Sequence, residues 1–234
     1  MTVSWHDMEP RVRKRAVGVE QKEARRNHIL RAAFDLLDRT RYEDISMNAV
    51  AREARLAKGT LYLYFKTKEE VFLALATELI AKEFNRIDAR LLDQPAPAEI
   101  EDVAGILTSM VGRADRKTRL LAILHGVLER NVSFDAGLAF KHLLRRRLTY
   151  TGLLLEERLP FLKDGEGVEV LLTLHALGVG FMQMVANSDV GTRVLDTPGM
   201  DIFRISPETM MGSAALRLLE GMQAAAARTP NRHR

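Results

Sequence analysis

The chain has 234 residues, no cysteine and a formal charge of +4. That length holds one sizeable domain or two smaller ones, and the missing cysteines exclude a disulfide framework. The charge is uneven: residues 1–68 carry 15 Lys and Arg against 9 Asp and Glu, whereas the remainder carries 20 against 22. A basic front on a mildly acidic body is the footprint of a nucleic-acid binder whose body does something else.

Residues 1–20 contain no apolar core of the kind a secretory leader needs, which predicts a cytoplasmic protein. They read as a flexible basic arm, in which Arg11, Arg13, Lys14 and Arg15 could lie along a minor groove. A solubilising tail fits the same composition.

Residues 44–72 carry the most information. Ser46 precedes the apolar-periodic run Met47, Val50, Ala51, Ala54 and is a natural N-cap. Ala49, Val50 and Ala54 are small enough to let two helices cross closely. The turn Arg55-Leu56-Ala57 follows, with Leu56 as its apolar plug. A second short helix is predicted around Lys58–Phe65. Leu61 and Phe65, four apart, form its inward face. Lys58, Thr60, Tyr62 and Tyr64 offer charge and hydroxyls, and Gly59 has no side chain to hold the helix off a groove. Thr67, with Glu70 three residues on, forms a capping box. It opens an amphipathic helix over about Lys68–Leu92 through Phe72, Leu75, Leu79 and Phe84.

Asp93-Gln94-Pro95-Ala96-Pro97 is the clearest linker. Helices are predicted near Ala98–Val111, over about Arg116–Arg130, and from Ser133 to about Leu159, where Pro160 stops the chain. Arg145-Arg146-Arg147 reads as a solvated face. Val168–Ala186 is apolar nearly all round and must be covered on more than one side. Its Glu169, His175 and Gln183 argue against a membrane span. Pro207–Ala227 is rich in small residues, among them Gly212, Ser213, Ala214, Ala215 and Gly221, which permit close helix contact. Asn187–Ser206, between these two helices, is long for a connection. No segment alternates as a strand does, so the fold class is all-α. The expected organisation is an arm over 1–20, a helix-turn-helix over 21–67, a helical body over 68–227 and a disordered tail over 228–234.

The six histidines form no metal-ligand spacing, and the chain has no nucleophile-elbow or phosphate-loop motif. Gly178-Val179-Gly180 reads as helix packing. No enzymatic activity, cofactor or metal is expected.

Residues 24–72 resemble the DNA-binding head of the TetR family of bacterial repressors. The family commonly runs Ala-Gly-Val-Ser-Lys-Gly-Thr-Leu-Tyr-x-Tyr-Phe. This chain has Ala54-Arg55-Leu56-Ala57-Lys58-Gly59-Thr60-Leu61-Tyr62-Leu63-Tyr64-Phe65, then Lys68-Glu69-Glu70-Val71-Phe72. The resemblance implies a first helix over Ala24–Leu37 and an approach through Tyr42–Ser46. Two departures stand out. Arg55 replaces a glycine at a turn position that wants positive φ, at a cost on the order of 1 kcal/mol, and could itself reach a phosphate. Ala57 replaces a serine that can cap the recognition helix, a loss of about 1 kcal/mol.

The resemblance also implies DNA contacts: Ser46 to phosphate; Asn48, Lys58, Gly59 and Tyr62 near bases; Thr60, Tyr64 and Lys68 near phosphates. Lys58 suits guanine O6 or N7, and Asn48 suits adenine. The last two helices would pair with their twins in a homodimeric four-helix bundle. The two recognition helices would then meet successive major grooves about 34–36 Å apart on a near-palindromic operator. A small hydrophobic effector bound in the body would shift the connecting helix and release DNA. Candidate lining residues are Phe84, Met110, Leu121, His125, Phe140, Leu144, Phe181 and Met184, each of which also suits a plain core; His125 is the polar one. The rival reading is a helical adaptor that keeps the fold without binding DNA.

Overall fold

The computed structural model describes residues 9–109, 120, 131–185 and 189–228, the side chains of 9–19 and 189 excepted. Two compact units divide it: Met1–Leu75 with Gly126–Ser133, and Ala76–His125 with Phe134–Arg234. Among the described residues every regular element is helical.

The first unit holds α1 (Glu9–Leu36), a 3-10 turn (Tyr42–Asp44), α2 (Met47–Glu53), α3 (Lys58–Tyr62) and the opening of α4 (Lys68–Leu92). α2 packs against both α1 and α3. Ile29, Ala33, Val50, Leu61, Val71 and Phe72 are fully buried and form the core that fixes those helices. The first helix is longer than Ala24–Leu37, and the stretch expected to be a loose arm is helical from Glu9. Its Arg, Lys, Glu, Gln and Ala residues are strong helix formers, and Pro10 lies in the first turn, where its missing N–H costs nothing. Because that stretch has no apolar stripe, periodicity could not show it. The unit boundary falls at Leu75, inside α4, rather than ahead of Lys68.

The second unit continues α4 and adds α5 (Ile100–Thr108), α6 (Phe134–Arg158), α7 (Glu166–Met184), α8 (Asp189–Leu195), a second 3-10 turn (Asp201–Phe203) and α9 (Pro207–Arg228). α6 and α7 form a helical hairpin, and α9 packs on both α5 and α7. The hairpin closes where two glycines meet: a Cβ on Gly167 would stand 2.2 Å from the Gly152 carbonyl oxygen. No side chain fits there, so the backbones themselves are in contact.

At the far end of α4 the buried Arg158 takes over the role of a cap. Its Nε donates to the Leu91 carbonyl at 2.9 Å, and its own carbonyl accepts from Ala98 N–H at 2.8 Å. A guanidinium on helix C-terminal carbonyls satisfies groups that have no intrahelical partner. The linker at 93–97 is thereby tied down at both ends.

One expectation changes here, and another cannot be compared. The connection Asn187–Ser206 contains α8 and a 3-10 turn rather than plain loop. The helix expected over 116–130 lies outside the described residues, except for Leu120, which is helical and buried.

Candidate nucleic-acid interface

Ser46 sits in extended conformation and its Oγ accepts from Ala49 N–H at 3.2 Å, so it caps α2 as its sequence position requires. Its hydroxyl proton is left free to donate. Asn48, two residues on, is exposed. α2 ends at Ala54, whose carbonyl lies 2.9 Å from His28 Nε2 on α1. That contact fastens α1 to the turn. Arg55 then takes φ of +52°, the non-glycine residue of positive φ among those described. The strain foreseen from its glycine-like position is present. Ala57 opens α3 with no side-chain cap, the second expected consequence of the departures.

α3 is held from within. Leu61 is fully buried and Phe65 nearly so, and the Arg26 guanidinium lies 5.7 Å from the Phe65 ring centroid. The opposite face is open. Lys58 and Gly59 are exposed, Tyr62 is 37% exposed, and Thr60 and Tyr64 are half-buried. Lys58 Nζ lies 5.8 Å from the Tyr62 ring centroid, an i,i+4 cation–π pair that orients both on one face. A Cβ on Gly59 would meet nothing within 4 Å. The fold therefore does not require glycine there, and an alanine would favour the helix by about 1 kcal/mol.

Leu63 was not singled out in the sequence and is 80% exposed. Four residues after Gly59, it shares that outward face. Its apolar type between two tyrosines was the available signal. An exposed leucine is a side-chain type that suits contact with a thymine methyl.

Lys68 departs from its expected place at a phosphate. Its ammonium donates to the carbonyls of Tyr42 at 3.1 Å, Glu43 at 3.2 Å and Ile45 at 2.9 Å, so all three donors are turned onto the protein. The capping box is shifted as well. Glu70 N–H donates to Thr67 Oγ1 at 3.1 Å, but the Glu70 carboxylate accepts from Lys66 N–H at 2.8 Å rather than from Thr67. Tyr42 completes this corner, with its hydroxyl donating to Glu69 Oε1 at 3.1 Å and its ring edge-on to Phe72 at 5.2 Å. Burial, reinforced by the Glu69 carboxylate, raises the Tyr42 phenol well above its ordinary range.

The expected effector-lining residues differ in burial. Phe84 on α4 and Phe140 on α6 are buried, Leu144 and Phe181 are half-buried, and Met184 is 61% exposed at the end of α7. Met110, Leu121 and His125 lie outside the described residues.

A basic helix-turn-helix unit joined by one continuous helix to a helical body defines a DNA-binding regulator class. Residues 29–75 match the family described as "Bacterial regulatory proteins, tetR family", and residues 77–226 match "Tetracyclin repressor-like, C-terminal domain". The chain belongs to the tetR family of bacterial regulatory proteins.

Among curated relatives it is 41% identical over 101 residues to the HTH-type transcriptional repressor KstR of Rhodococcus jostii, covering 43% of this chain and 45% of that protein. It is 36% identical over 124 residues to KstR of Mycobacterium tuberculosis, covering 53% and 54%. The chain thus matches about half the length of these relatives. The fold resembles that of the fatty acid degradation regulator FadR of Bacillus halodurans, with TM-score 0.55, 19% identity, and 90% and 97% of the two chains covered.

Proposed function

We propose that the protein is a ligand-responsive transcriptional repressor that binds a near-palindromic operator as a homodimer and is released by a small hydrophobic effector. The carrying observation is the outward face of α3. Lys58, Gly59, Tyr62 and Leu63 are exposed there while Leu61 and Phe65 pin the helix from within. Lys58 and Tyr62 read base edges, Leu63 takes a thymine methyl and Gly59 lets the backbone approach. Asn48 extends the readout at the start of α2. Ser46, Thr60 and Tyr64 hold phosphates, which supply position and salt-dependent affinity.

Dimerisation through the last two long helices is supported by surface that the chain leaves bare. In the apolar window of α7 only 28% is buried, and Leu172, Met184 and Met210 are exposed. Among the described residues Gly180, Gly212 and Gly221 have nothing within 4 Å of where a Cβ would stand, which leaves room for a second chain to approach closely. An effector would act by preferring the dimer form whose heads do not fit DNA; affinity without that preference shifts nothing. Buried Phe84 and Phe140 make the body suited to an apolar effector, and one relative is a fatty acid metabolism regulator of Bacillus subtilis. On this reading the protein is cytoplasmic and is no enzyme.

The test is selection of duplexes from a randomised 30-base-pair pool (a length of about three helical turns), followed by the mass of the complex. The proposal expects an enriched near-palindrome carrying an even number of protomers. No enrichment, or one protomer on an asymmetric site, would count against it.

A further inference from the structure

On the first unit, α1 and the helix-turn-helix turn enclose an open depression of about 650 Å³. It is lined by Gln21, Ala24, Arg25 and His28 on one side and by Ala54, Arg55 and Leu56 on the other. The two arginines therefore face one cavity from two elements. Both are exposed, and neither has an acidic side chain paired with it among the described residues. His28 holds the walls together through Ala54.

Arg55 occupies this place at a cost. Its φ of +52° lies where a glycine is at ease and a branching Cβ is crowded. A non-glycine residue held at positive φ with its side chain exposed points to function. Two exposed guanidinium forks lining one concavity match a phosphodiester, which accepts bidentate hydrogen bonds from arginine. The position is also right. The N-terminal residues of a recognition helix approach base edges, so a residue three before Lys58 lies beside the groove wall, where the backbone phosphates run.

We propose that Arg25 and Arg55 form a two-arginine clamp on one DNA backbone phosphate beside each recognition helix. The clamp rests on the DNA-binding reading above and adds to it a contact that sets register rather than sequence. Arg55 thus turns a strained turn residue into a phosphate ligand.

The test uses the full chain and the duplex enriched from the randomised pool, with binding measured across a salt series for wild type, Arg55→Gly and Arg25→Ala. Loss of one phosphate contact lowers the slope of log affinity against log salt by about 0.9, hence by about 1.8 in a dimer. Both variants are expected to show that drop and at least a several-fold weaker affinity, with sequence preference retained. Arg55→Gly is further expected to raise Tm, because the strain is relieved, so stability and affinity move in opposite directions. An unchanged slope in both variants overturns the clamp while leaving the DNA-binding reading standing. A wild-type protein that enriches no duplex overturns both.

Discussion

The ammonium of Lys68 lies 4.5 Å from the ring centroid of Tyr42 and donates to that residue's carbonyl oxygen at 3.1 Å. With the carbonyls of Glu43 and Ile45 also bound, the first residue of α4 grips the end of the 3-10 turn that leads into α2. α4 runs on without interruption to Leu92, in the second unit.

Replacing Lys68 with Met should remove three hydrogen bonds from a charged donor and lower the stability of the head by about 2 kcal/mol. Chemical denaturation of wild type and variant reads that loss directly. The salt slope of DNA binding, measured where the variant remains folded, should stay at the wild-type value. A slope lowered by about 1.8 would return Lys68 to the phosphates.

Gly59→Ala separates folding from recognition. The added methyl meets no protein atom within 4 Å, so Tm should stay level or rise, by up to about 1 kcal/mol of helix preference. Operator affinity should fall at least about tenfold, a loss of roughly 1.4 kcal/mol. Unaltered affinity would mean that the backbone at Gly59 does not come close to DNA.

At the α6–α7 crossing the opposite holds. A Cβ on Gly167 would stand 2.2 Å from one backbone oxygen and 2.8 Å from the adjoining carbon of Gly152. Backbone cannot rotate away as a side chain can. Gly167→Ala should therefore cost about 3 kcal/mol or more, seen as a large drop in Tm, whereas Gly221→Ala, facing open space in the single chain, should spare the folded protomer. Equal melting of Gly167→Ala and wild type would refute the close crossing.

Asp88 gives a signed pH effect. Burial raises its carboxyl above the ordinary 3.8, and the Thr151 hydroxyl at 2.5 Å with Arg147 at 3.9 Å pulls it partly back. The folded state then holds the Asp88 proton more tightly than the unfolded chain does. Asp88 thus destabilises progressively as pH rises from about 4, its unfolded value, through its folded value. Asp88→Asn should remove that slope, so that stability relative to wild type grows with pH across the window and is level above it. Stability curves from pH 3 to 8, a range chosen to bracket ordinary carboxylates, would show it. A variant that loses ground as pH rises would reverse the sign.

Local chemistry made much of the head legible. The Ser46 cap and the inward pair Leu61 and Phe65 follow from neighbours within a few residues, while the positive φ of Arg55 and the uncapped start of α3 followed from the resemblance, at the glycine and serine positions that this chain fills otherwise. The run Lys68–Leu92 was equally readable, since its apolar stripe is long. What stayed hidden depends on contacts far apart in the chain. The carbonyl partners of Lys68 are 23 to 26 residues away, and a lysine after a helix cap looks like a free cation. Gly152 and Gly167 each look like an ordinary weak spot in a helix until the hairpin brings them together. α8 was missed because seven residues with Val190 and Val194 exposed give no inward stripe. The effector-lining set stayed open because apolar core and apolar pocket share one composition.

The central claim is that α3 reads DNA sequence through its exposed face. Fluorescence anisotropy across a salt series, with the enriched duplex and a scrambled one, tests it for wild type and Tyr62→Ala. The wild type should prefer the enriched duplex by about a thousandfold or more at physiological salt, with a steep salt slope. Tyr62→Ala should lose that preference at unchanged Tm. Equal, weak binding of the wild type to both duplexes, or undiminished preference in Tyr62→Ala, would contradict it.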